Sequence, residues 1–113
     1  LQQYPDLGGI YCNNDTMAMG ALEAVIAADS DCVIVGTDGT SEAVESIKAG
    51  ELDATVDFFP NIMSQIAVEM QVRKLAGEDV PKVVYAPQSI RDAGNAEASF
   101  EEIFGYEYAP VFE

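Results

Sequence analysis

Three residues of this 113-residue chain stand just beyond apolar runs, where a ligand could reach them. Asn14 lies in CNNDTMAMGAL, Asp38 in Gly36-Thr37-Asp38-Gly39, and Phe58 in LDATVDFF. A primary amide both donates and accepts hydrogen bonds, a carboxylate accepts from two hydroxyls, and a phenyl ring offers a flat apolar face. That set suits a sugar or polyol held in a concave pocket, with hydroxyls around the rim and C–H groups on the face. Each residue also has a plainer use. Asn14 or Asp15 can start a helix by accepting a backbone N–H bond, Asp38 before Gly39 can form a turn, and Phe58 can fill a core. Residue type and spacing leave both uses open.

Other chemistries fit less well. The chain has no histidine, which removes the usual hydrolytic triads and zinc sites. Its two cysteines, Cys12 and Cys32, lack the Cys-x-x-Cys spacing of a zinc knuckle or a thioredoxin-like pair. They fall at opposite ends of two expected strands, a poor geometry for a disulfide, and read as small buried core residues. Asp15 and Asp38 resemble the acidic pocket of a phosphate-accepting receiver domain, which uses Mg²⁺ and a lysine from a later strand. Phe58, Phe59 and Pro60 stand where that lysine belongs. The Gly36–Gly39 turn is neither a P-loop nor a dinucleotide fingerprint. An enzyme is therefore the weaker reading, and no catalytic residue, metal or cofactor is assigned.

Twenty acidic residues against five basic ones give a formal net charge of −15, which disfavours nucleic acid and anionic lipid as partners. The acids are scattered, as on a solvated face. The length suits one small core, and no apolar run approaches the roughly 20 residues of a membrane span. LQQYPDLGGI reads as the last turn of a helix, Leu1 to Tyr4, broken by Pro5, so the chain looks like a piece of something longer.

Gly8–Asn14 is apolar after a Pro/Gly break and predicts a strand. Ala18, Ala21, Leu22, Val25 and Ile26 then recur at helical spacing. The pattern repeats with a strand at Cys32–Val35 and a helix through Ala43, Val44 and Ile47 that stops near Gly50. Leu52–Phe59 reads as a third strand, with Leu52, Ala54, Val56 and Phe58 on one side. Pro60 suits the first turn of a helix with an apolar stripe Met63-Ile66-Ala67-Met70, ending before Gly77. Val80–Ala86 is the fourth strand expected, followed by a short helix around Ala96–Phe104 and the aromatic tail YEYAPVFE. The order β-α-β-α-β-α-β predicts an α/β fold, a parallel sheet covered by helices and buried on both faces. Ligands of such sheets gather beyond the carboxyl ends of the strands, where Asn14, Asp38 and Phe58 would lie.

The segments NNDTMAMGAL and VIVGTDGTSEAVESIKAGELDATV resemble type I periplasmic sugar-binding proteins of the ribose- and galactose-binding branch, the solute receptors of ABC importers. The resemblance runs from about Leu1 to Ile90 and covers the final third or so of such a protein. It implies two α/β lobes with a sugar between them. Residues 1–59 would form part of the C-terminal lobe, residues 60–80 a helix that packs on the N-terminal lobe, and residues 81–113 a return strand and tail. It also implies Asn14 and Asp38 as hydroxyl ligands, with Asp15 as the helix cap. At position 58 relatives often carry glutamine or asparagine, so Phe58 implies a neutral ligand with a more apolar face. The implied partner is a membrane permease and the implied location the periplasm or the outer surface of a membrane, although this chain contains no signal peptide. Without its lobe partner, the stripe on the helix after Pro60 would favour dimerisation or domain swapping. The effector-binding part of a lactose-repressor-like regulator shares the Asn-Asp corner and stands as the alternative. Such regulators more often read Gly-Phe-Asp-Asp or Gly-Tyr-Asp-Asp where this chain has Gly-Thr-Asp-Gly.

Overall fold

The computed structural model describes residues 1–108 and contains eight elements. They are β1 (Gly9–Tyr11), α1 (Asp15–Ala27), β2 (Val33–Asp38), α2 (Ser41–Ala49), β3 (Ala54–Asp57), α3 (Pro60–Leu75), β4 (Ser89–Asp92) and α4 (Phe100–Phe104). The helix boundaries follow from local chemistry. Asn14 caps α1 by accepting from Met17 N, Thr40 caps α2 by accepting from Ala43 N, and Gly50 closes α2 at φ +77, a conformation glycine adopts without strain. Pro60 opens α3, where its missing N–H costs nothing.

The sheet order is β1-β2-β3-β4, with β1, β2 and β3 parallel. The register places Ile10, Ile34, Gly36 and Thr55 on the face that α1 and α2 cover. There Ile34 meets Leu22 and Val25 of α1 and Ala43 and Ile47 of α2 in one apolar cluster that also holds Cys12 and Cys32, both as free thiols. Burying side chains of the size of Ile34, Ile47 and Leu22 contributes about 1.5–3 kcal/mol each.

Several expectations need correction. The helical turn at Leu1–Tyr4 is absent, replaced by a turn in which Leu7 N donates to Tyr4 O at 3.2 Å. The expected burial on both faces is incomplete among the described residues, for only Thr37 and Ala54 are buried on the second face. Tyr11, Val33, Val35, Val56 and Ile90 share the face opposite the helices, where Tyr11, Val33 and Ile90 are exposed. The fourth strand is Ser89–Asp92, antiparallel to β3, whereas Val80–Ala86 forms no strand and leaves Tyr85 90% exposed. Pro81 and Pro87 bracket that apolar run and lack backbone donors. The polar segment Ser-Ile-Arg-Asp takes the sheet edge instead because Arg91 finds a buried carboxylate, Asp57, on β3.

At Phe59, with φ +47, the chain leaves the sheet and α3 leads away from the core. Of the expected stripe, Met63 and Ala67 are exposed while Ile66 and Met70 are half-buried; the buried positions of α3 are Ile62 and Glu69. The described chain measures 57 × 27 × 18 Å with a radius of gyration of 17.8 Å. A compact domain of this length would have about 13 Å, so the described chain is extended.

Candidate ligand site

The parallel register brings the carboxyl ends of β1, β2 and β3 to one edge. Tyr11 pairs with Val35, and Asn14 and Asp38 each lie three residues further on. Cys12 N extends the pairing by donating to Val35 O at 2.8 Å. The Thr37 hydroxyl donates to Cys12 O at 3.1 Å and lies 3.0 Å from the Tyr11 hydroxyl, which stitches the two strand ends together. Asp38 in turn pairs with Asp57, and Phe58 is the next residue along. Adjacent strands are about 4.8 Å apart, so the three corners are neighbours along one rim.

Each predicted residue has a definite state. Asn14 is half-buried, and its Oδ1 is engaged by Met17 N at 2.8 Å. Its Nδ2 keeps two hydrogens to offer, so the residue can cap α1 and donate to a ligand at once. Asp38 is exposed and sits at φ +122, a backbone conformation that an L-residue adopts only under constraint. Phe58 is half-buried just past the end of β3, while Phe59 is buried among Phe100 and Phe104 at centroid distances of 5.1 and 5.6 Å.

The expected capping role of Asp15 is a correction. Asn14 caps the helix, and Asp15 points into the protein, only 1% exposed. Its Oδ2 accepts from Thr40 N at 2.8 Å and its Oδ1 from the Thr55 hydroxyl at 2.6 Å. A buried carboxylate is costly unless its acceptor sites are filled. Here both oxygens are filled, and the charge lies beside the positive amino-terminal ends of α1 and α2. Asp15 is thereby committed to protein donors rather than to a metal shared with Asp38. The sequence signal for this role is Gly36, where a Cβ would lie 2.3 Å from Asp15 Oδ1.

A second unforeseen cluster closes the carboxyl end of β3, next to the rim. Asp57 Oδ1 accepts from Phe59 N at 2.7 Å, and Oδ2 accepts from Arg91 Nε at 3.1 Å. Arg91 Nη1 also donates to the carbonyls of Asn95 and Ala98, and its guanidinium lies 5.2 Å from the Phe59 ring centroid. This buried hub ties the point where the chain leaves the sheet to the strand on which it returns.

On the carboxyl-edge rim Tyr11 and Asp38 are exposed while Asn14 and Phe58 are half-buried. A concavity of about 510 Å³ lies at the opposite edge, lined by Asp29, Asp31, Gly50, Glu51 and Asp53 among others at the amino ends of the strands. Four ionisable groups on α2, on α4 and in the segments that flank α4 are shifted by their neighbours. The Lys48 ammonium is raised by hydrogen bonds to Glu97 and Glu45, and Lys48 in turn lowers Glu97. The backbone N–H and hydroxyl of Ser99 lower Glu102, and burial, then Glu69, raises the Tyr108 phenol.

Residues 1–79 match a family profile described as periplasmic binding protein domain. The chain is 39% identical to the ribose import binding protein of Bacillus subtilis over 87 residues, which are 77% of this chain and 28% of that protein. It is 38% identical to the D-allose-binding periplasmic protein of Escherichia coli over 84 residues, 72% of this chain and 27% of that one. Among solved structures it superposes on an ABC transporter solute binding protein from Actinobacillus succinogenes with bound D-allose. The TM-score is 0.81 and the identity 30%, over 88% of this chain and 35% of that one. It also superposes on the Caulobacter myo-inositol binding protein bound to myo-inositol, with a TM-score of 0.71 and 38% identity, over 82% of this chain and 32% of that one. The chain therefore spans a little over a quarter of the length of these sequence relatives.

Proposed function

The chain belongs to the periplasmic binding protein domain family, and on that premise we propose that its carboxyl-edge rim is one wall of a sugar-binding cleft serving an ABC importer. The observation that carries this reading is the placement of Asn14 and Asp38 at equal distances beyond a paired Tyr11 and Val35, on the edge where parallel sheets take their ligands. Asn14 Nδ2 donates to one hydroxyl, Asp38 accepts from others, and Phe58 supplies a flat face. The ligand is a neutral sugar or polyol, in keeping with a net charge of −15 and with relatives named for ribose, D-allose and myo-inositol.

In this reading residues 1–59 are part of the C-terminal lobe, residues 60–80 lead onto the opposite lobe, and residues 81–113 return. The uncovered sheet face at Tyr11 and Val33 and the exposed α3 residues Val72 and Leu75 are surfaces that other parts of a two-lobed receptor cover. In isolation this segment pairs through them with another copy or swaps elements with it. No bond is made or broken. The sugar favours the state in which the lobes have closed around it, the closed form docks on the permease, and the chain works in the periplasm or on the outer surface of the membrane.

The test is a thermal-shift screen of the full-length protein against pentoses, hexoses and their alcohols, with Asn14→Ala and Asp38→Ala alongside. A sugar at 100 times its dissociation constant adds about 2.7 kcal/mol of stability. A shift with one sugar that both variants lose is the expected result. A panel in which no sugar shifts the wild type overturns the proposal.

A further inference from the structure

The conformation of Asp38 is held from outside its own strand. At φ +122 it occupies a backbone region that persists in L-residues only when the surroundings over-determine it. Both residues that follow are gripped. Gly39 N donates to Thr55 Oγ1 at 3.3 Å, and Thr40 N donates to Asp15 Oδ2 at 2.8 Å. The Thr55 hydroxyl then donates to Asp15 Oδ1 at 2.6 Å, which closes a loop of bonds around one buried carboxylate. On the preceding side, Thr37 Oγ1 donates to Cys12 O.

Space is fitted as closely as charge. A Cβ at Gly36 would lie 2.3 Å from Asp15 Oδ1, and one at Gly39 would lie 2.5 Å from Asp57 Cγ. The glycines flanking Thr37 and Asp38 are therefore the places where two carboxylates approach the backbone of β2 and its turn. Asp15 also follows Asn14 directly, so one residue is covalently next to the first rim corner, hydrogen-bonded to Thr40 two residues past the second, and bonded to Thr55 on the third strand.

We infer that Asp15, acting through Thr55 and the Gly39–Thr40 backbone, is the positioning residue of the rim: it fixes Asp38 relative to Asn14 without touching the ligand. This rests on the sugar-binding reading above. A core role alone would not require Asp15 to accept from Thr40 N, two residues after Asp38, or its partner Thr55 to accept from Gly39 N, whereas a positioning role does.

Thr55, which is fully buried, separates the two roles. Thr55→Val keeps the shape and loses the hydroxyl; Thr55→Ser keeps the hydroxyl and loses a methyl group. Packing ranks valine above serine, and positioning ranks serine above valine. The experiment is calorimetric titration of the full-length wild type and variants with the sugar panel, with Asn14→Ala and Asp38→Ala as controls. Loss of the bridging hydroxyl should weaken sugar binding about tenfold or more in Thr55→Val, while Thr55→Ser stays within about threefold of wild type. Wild-type affinity in folded Thr55→Val, or equal weakening in both variants, overturns the positioning role. Should Thr55→Val fail to fold, Asp15→Asn carries the expectation. Its amide can still accept from Thr40 N but turns an N–H toward Thr55, so unchanged affinity there overturns the proposal. Loss of binding in Asn14→Ala and Asp38→Ala with an unaffected Thr55→Val refutes positioning alone. Silence of the wild type with every sugar refutes the sugar reading beneath it and positioning with it.

Discussion

Replacing Asp38 with glycine should leave the protein as stable as wild type or more so, while abolishing its response to sugar. Asp38 is exposed, so its side chain contributes little packing, but its backbone stands at φ +122. Holding an L-residue in such a region costs about 1–3 kcal/mol. Glycine relieves that cost but loses about 0.5–1 kcal/mol through the greater freedom of its unfolded chain. The difference places Asp38→Gly about 0–2.5 kcal/mol above Asp38→Ala, which keeps the strain and lacks the carboxylate. Urea unfolding of the full-length protein measures this, provided the slope against urea is the same in both variants. A glycine variant less stable than the alanine variant by about 1 kcal/mol would refute the strain argument. A glycine variant that still responds to sugar would remove the Asp38 carboxylate from the site, because the substitution leaves no side-chain acceptor there.

Asn14→Ala should lose the α1 cap, about 1 kcal/mol, together with sugar affinity; Asn14→Asp keeps an acceptor for Met17 N, so urea unfolding should show near-wild-type stability with affinity still lost. Sugar binding by Asn14→Asp at wild-type strength would mean that the amide is not a ligand donor. Phe58→Gln should reorder affinities across the sugar panel, and an unchanged ranking counts against contact with the ligand. Arg91→Ala leaves Asp57 buried without its cation and should cost about 3–5 kcal/mol in urea unfolding; a loss below about 1 kcal/mol would show that the pair does not clamp β3 to β4. Glu102 is lowered from the ordinary 4.5 by its bonds to Ser99, so its support for α4 is present above that value and disappears as pH falls through the folded-state value. Backbone chemical shifts of residues 100–104 should drift toward coil on acidification in wild type and stay flat in Glu102→Gln; identical titrations would exclude the capping box as the cause.

The parts of the fold legible in the sequence are those with local causes. Helical spacing, Asn14 as a cap, Gly50 as a stop and Pro60 as a first-turn residue each act within a few residues, and α1, α2 and α3 lie where those signals place them. The remainder of the fold is decided by partners distant in sequence. Val80–Ala86 has the composition of a strand, yet a strand needs a neighbour's free edge, and β3 takes Ser89–Asp92 because Arg91 pairs with Asp57, 34 residues earlier. Asn14 and Asp15 have equal standing as caps by residue type. Their division of labour depends on Thr55, 40 residues from Asp15, and on the gap left by Gly36. The rim follows from strand order alone: polar and aromatic residues at three strand ends become a shared edge once β1, β2 and β3 are parallel and adjacent.

The most direct test is a crystal structure of the full-length protein grown with the sugar that raises its melting temperature. The account predicts Asn14 Nδ2 and an Asp38 carboxylate oxygen within about 2.7–3.2 Å of sugar hydroxyls, with Asp15 still bonded to Thr40 and Thr55 beneath them. A bound sugar that touches neither Asn14 nor Asp38 would contradict it.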